Sequence, residues 1–171
     1  MTDLEALASD DAGTRRLAAE NIHRNRDVPY EDIQAIAEKY IIQGRKGGTV
    51  HDCLRLLGKL QARDQCPYLV SRLEYRFFEL ARLRPPPIET TFPAVGALID
   101  IGLPAVRPVL DRLRGETLDE ALLAGAGVLS GILGKKGAVG RVEAEKKTAT
   151  RAEAESLDRV RDLLTTHYML S

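Results

Sequence analysis

Residues 98–113, LIDIGLPAVRPVLDRL, hold an apolar helical pattern that stops at Gly102, turns through Leu103-Pro104 and begins again at once. The same layout stands 41 positions earlier in 57–72, LGKLQARDQCPYLVSR. There Leu57, Leu60, Pro67 and Leu69 fall on the positions of Leu98, Ile101, Pro108 and Leu110. Self-similarity near 40 residues, built from paired helices, is the pattern of an α-solenoid, in which each pair buries its apolar face on the next. Strand signals do not compete: alternating β-branched and aromatic runs are missing, and aromatic residues make up only 5% of the chain.

Caps and breakers divide the chain into helices. Thr2 and Glu5 form a capping box, Asp10 or Asp11 caps a second helix, and Pro29 opens a third. The third carries Ile33, Ile36, Ala37, Tyr40 and Ile41 at one-sided helical spacing. Thr49 is expected to cap the fourth, whose apolar face is Val50, Cys53, Leu54 and Leu57. Asp64 is expected to cap a fifth running to Leu83, before the extended link of Pro85, Pro86 and Pro87. A sixth should start at Thr90 or Thr91 and end at Gly102, a seventh cover 105–114, and an eighth cover 118–133. Helices two, four, six and eight then end near 26, 60, 101 and 133, with steps of 34, 41 and 32 residues that suit a diverged repeat.

The runs GLPAVRPVLDRL (102–113) and DAGTRRLAAENI (11–22) resemble HEAT repeats. In that family a turn with proline or aspartate precedes an Ala-Val-x-x-Leu helix, and an Arg- and Ala-rich start marks its partner. The likeness covers 2–133 and is strongest in 98–133. It implies an all-α fold: a right-handed α-α superhelix of about four to five stacked antiparallel helix pairs. Residues 1–133 would hold the HEAT-like repeats, 134–150 a weakly structured basic segment, and 151–171 a C-terminal capping helix. The triple proline and the length of the fifth helix depart from the family pattern.

Function classes narrow by exclusion. Lys plus Arg equals Asp plus Glu at 25 each, so any electrostatic function must come from a local patch. The N-terminus carries acids where an export signal would be basic, and the longest charge-free apolar helical run, 121–133, is short of the roughly 20 residues a membrane span needs. A cytoplasmic protein without membrane contact is expected. No GxGxxG after a strand, no Walker loop, no HExxH and no GxSxG occurs. Consecutive His51-Asp52-Cys53 diverge by about 100° per residue on a helix and cannot close on one metal. No catalytic, cofactor or metal residue is assigned, and Cys53 and Cys66 read as reduced thiols.

One feature suits recognition. His51, Arg55, Lys59 and Arg63 recur every four residues, opposite the apolar face of the fourth helix, while Arg16 and Arg24 lie on the second. The leading expectation is a non-enzymatic protein-binding module, an adaptor or regulatory subunit, taking another protein with an acidic segment on this ridge. The alternative is a nucleic-acid-associated HEAT-like protein, related in fold to a small group of DNA glycosylases. Residues 88–110, charged only at Glu89, Asp100 and Arg107, and the charge-free 121–133 are expected to be the middle of the stack rather than an open partner surface.

Overall fold

The structure, a computed structural model, describes residues 1–77 and 87–166. Among them it is all-helical: α1 (Asp3–Leu7), α2 (Ala12–Asn25), α3 (Tyr30–Ile42), α4 (Gly47–Lys59), α5 (Cys66–Val70), α6 (Ile88–Thr91), α7 (Pro93–Ile101), α8 (Val106–Leu113), α9 (Asp119–Lys146) and α10 (Arg151–Thr166). Single 3-10 turns precede α5 and α8. No strand occurs among the described residues.

Local chemistry accounts for most boundaries. The Thr2–Glu5 capping box closes in both directions, at 2.8 and 3.2 Å. Of the two candidate caps for α2, Asp11 serves, accepting from the Thr14 N–H at 2.6 Å. Phe92 separates α6 from α7 where one helix was expected. Pro93 drives its predecessor out of the helical region, and Phe92 is extended at φ −119°, ψ 91°.

Three expectations are corrected. Thr49 does not cap α4; the helix starts earlier, behind Lys46 in a left-handed conformation, and Thr49 is buried inside its first turn. The fifth helix does not continue past Val70: residues 71–74 form turns, with the Ser71 hydroxyl donating to the Tyr68 carbonyl at 2.7 Å. The remainder of its expected span, from 78 to Leu83, lies outside the described residues, as do Pro85 and Pro86. The segment 134–150 is mostly helix: α9 kinks at Gly134 (φ 69°, ψ 159°) and resumes to Lys146. Its second arm is held by Ala138 and Val142, both fully buried. Apolar residues four apart suffice for one buried stripe, and the glycines around them, Gly137 and Gly140, hid it in the sequence.

Packing runs along two rows. α2 touches α4, α4 touches α7, and α7 touches α9. α1 packs on α2, α3 on α4, α5 on α7 and α8, and both α8 and α10 on α9. Leu57, Leu60, Leu69, Leu98, Ile101, Val106, Leu110 and Leu129, the residues that the repeat places between helices, are all buried. The α4–α7 crossing is the closest point: a Cβ on Gly58 would stand 2.4 Å from the Ala97 Cα. The apolar stretches 88–110 and 121–133 are largely internal, with Val95, Leu98, Leu122 and Leu129 fully buried. With its second arm included, α9 is long and apolar enough by composition to cross a membrane, but the Gly134 kink divides it.

Candidate interaction groove between helices α2 and α4

Arg15 sets the geometry where α2 meets α4. It sits at i, i+3, i+7 spacing with Ala18 and Ile22, so α2 turns it inward with its buried residues. Its Nε donates to Asp52 Oδ2 at 2.8 Å, and its Nη1 donates to the Ser9 and Asp10 carbonyls at 3.1 and 3.0 Å. Those carbonyls lie in the α1–α2 link, so one side chain that is only 12% exposed ties three elements together. Gly48 makes room for it, since a Cβ there would lie 2.6 Å from Arg15 Nη2. Lys46 fastens the same link, reaching the Ala8 carbonyl at 2.7 Å and Asp10 at 3.1 Å while lying over the Tyr40 ring.

Asp52 also faces His51, whose Nδ1 lies 3.1 Å from Oδ1. Burial pushes the Asp52 carboxyl up, but the His51 and Arg15 hydrogen bonds outweigh it and hold the group below its ordinary value of 3.8. The carboxylate is therefore charged at neutral pH and orients both partners. Behind it, burial pushes the Cys53 thiol up to about 12, which leaves it an unreactive core group.

Between the two helices runs an open groove of about 740 Å³. α2 contributes Ala12, Arg16, Ala19 and His23, and α4 contributes His51, Arg55, Leu56 and Lys59. Phe77 closes one end, its ring centroid 4.9 Å from that of His51. Glu89 and Thr90 join the lining from α6.

The expected ridge is divided by its partners. Arg55 Nη2 pairs with Asp100 Oδ2 of α7 at 3.1 Å, and its buried Nη1 has no hydrogen-bond acceptor. Lys59 is exposed and has no ion-pair partner among the described residues. Among the described residues Arg16 makes only a long, exposed pair with Glu20 at 3.8 Å. Arg63 and Arg24 are exposed but do not line the groove. Arg63 leaves the ridge because Gln61 takes a left-handed turn (φ 54°) after α4. Arg15, Asp52 and Phe77 were missed as groove-forming residues. An arginine on the apolar face of α2 was the available signal for Arg15, because a buried guanidinium needs an internal partner. Phe77 had no such signal, since its place depends on the turn after α5. No known protein family, curated protein or solved structure matches the chain.

Proposed function

We propose that this chain is a non-enzymatic, HEAT-like protein-binding module, an adaptor or regulatory subunit in the cytoplasm, whose α2–α4 groove receives an acidic segment of a partner protein. One observation carries the reading: Arg16, His23 and Lys59 line one open groove, Lys59 without an ion-pair partner among the described residues and Arg16 in a long, exposed pair with Glu20. The row α2, α4, α7, α9, backed by α1, α3, α5, α8 and α10, is the neighbour pattern that the proposed stack of helix pairs requires. The step from such a stack to binding is an argument by architecture, which the groove makes specific.

The charges favour a protein over a nucleic acid. Of the four Lys and Arg side chains in the lining, Arg15 faces Asp52 and Arg55 faces Asp100. Glu20 and Glu89 subtract further from the field a phosphate backbone would meet.

The test uses the full chain as bait in an extract of its own cells, beside Arg16→Glu/Lys59→Glu and a control, Ile42→Ser, at an exposed site outside the groove. Proteins held by the wild type and the control but lost from the double variant are the partners expected. Identical recovery with all three baits would overturn the groove reading. A steeply salt-sensitive retention on heparin by the wild type would revive the nucleic-acid alternative.

A further inference from the structure

The groove has a length and two unlike ends, and together these describe its occupant more closely than "acidic". On α2 the lining runs from Ala12 to His23 and on α4 from Gly48 to Lys59. At 1.5 Å per residue, each wall is about 16 Å long. Arg15 reaches Asp52 and lies against Gly48, so the N-terminal ends of both helices share one end of the groove.

An extended chain rising about 3.3 Å per residue fits about five residues into the same length. The lining includes Ala12, Gly13 and Ala19, whose short side chains leave room for a backbone to approach.

The ends differ in chemistry. At the N-terminal end stand the half-buried Phe77 ring, the His51 ring against it, and Ala12. Glu89 lines the groove beside Arg55, where both approach Gly96. At the far end stand His23 and Lys59, with Glu20 on the same wall in a long pair with Arg16 at 3.8 Å.

Building on the protein-binding reading, we propose that the groove takes an extended partner segment of about five residues with an apolar or aromatic side chain at one end, seated by Phe77 and His51, and carboxylates at the other, met by Lys59, His23 and Arg16. The apolar end supplies the burial and the acidic end sets the direction. Neither half alone matches the whole groove.

Fluorescence anisotropy with labelled pentapeptides tests this on the full chain. The probes are FGEEE and EEEGF, which present the two chain directions, with GGEEE and FGSSS as half-motifs. One of the first two should bind at least ten-fold more tightly than either half-motif. Lys59→Glu should weaken that binding ten-fold or more, and Phe77→Ala should reduce it to the GGEEE level. Ala12→Trp, which fills the groove from an exposed position, should block it even if Phe77→Ala disturbs folding. If neither full peptide binds better than the half-motifs, including no binding by any, the inference is wrong. Should the peptides fail while Arg16→Glu/Lys59→Glu still loses partners from extract, the protein-binding reading survives without it. Should that variant lose nothing, the protein-binding reading itself falls.

Discussion

Arg55 Nη2 stands 3.1 Å from Asp100 Oδ2, joining α4 to α7 across the inner row of helices. The same guanidinium presses on Gly96, where a Cβ would lie 1.6 Å from Nη1. Arg55 therefore belongs to the packing of the stack, whereas Lys59, one turn further along the same helix face, belongs to the surface. Removing Arg55 leaves Asp100, about one-third exposed, without its partner. Arg55→Ala should cost about 1–2 kcal/mol, between the values for exposed and buried pairs. Lys59→Ala should stay within about 0.5 kcal/mol. Urea unfolding of the two variants checks the contrast, and equal losses would contradict this division of the ridge.

Gly58 and Gly140 make a second contrast. Gly58 lies under Ala97, where the new methyl would meet backbone at 2.4 and 2.7 Å, and backbone cannot step aside like a flexible side chain. Gly58→Ala should cost about 1–3 kcal/mol by overpacking the α4–α7 crossing. Gly140 is exposed within the second arm of α9, and nothing lies within 4 Å of its added Cβ. Gly140→Ala should stabilise the protein by about 0.5–1 kcal/mol, because alanine restricts the unfolded chain and favours helix. Thermal melting of the pair would reveal the opposite signs.

Helix class and core were legible in the sequence wherever periodicity is local. The 41-residue offset relating Leu57 to Leu98 and Leu69 to Leu110 placed four residues that are all fully buried. The caps at Thr2 and Asp11 and the stop at Gly102 were readable for the same reason. What could not be read depended on distant partners. Helical spacing placed Arg55 on the ridge, but only the approach of α7 brings Asp100 to it. Gly47 and Gly48 looked like loop until Arg15 and Phe77 took the space above them. The second arm of α9 looked weakly structured because Ala138 and Val142 carry little apolar surface; their burial is decided by α10.

Leu110 tests the register of the repeat. It is fully buried in α8, which packs on α5 and α9. Leu110→Ala should destabilise by about 2–5 kcal/mol through lost burial and the cavity left behind. Chemical denaturation measures it directly, and a loss below about 0.5 kcal/mol would place the side chain at the surface and break the register.

Glu145 gives the fold a dependence on pH. Its carboxylate is buried and receives three arginines: Arg114 in a close hydrogen bond, Arg107 at 3.3 Å and Arg141 at 3.0 Å. The Arg114 hydrogen bond outweighs burial and, with the charges of Arg107 and Arg141, holds the carboxyl below its ordinary value of 4.5. A carboxyl depressed in the folded state binds its proton first in the unfolded chain. Its stabilisation is complete above the ordinary value and is lost as pH falls from there through the lower native value. Glu145→Gln keeps the shape but removes the charge, so at pH 7 it should lower stability by about 1–3 kcal/mol. The wild-type advantage should shrink as pH drops below about 4.5, because protonation then neutralises the wild-type carboxyl as well. Asp52 and Asp158, both also held below their ordinary values, tilt both proteins alike, so the difference between the two melting curves isolates Glu145. Melts of both proteins at pH 7, 5, 4 and 3 should show the gap closing toward acid; a gap that stays constant would mean that the three arginines stabilise the fold without the charge of Glu145.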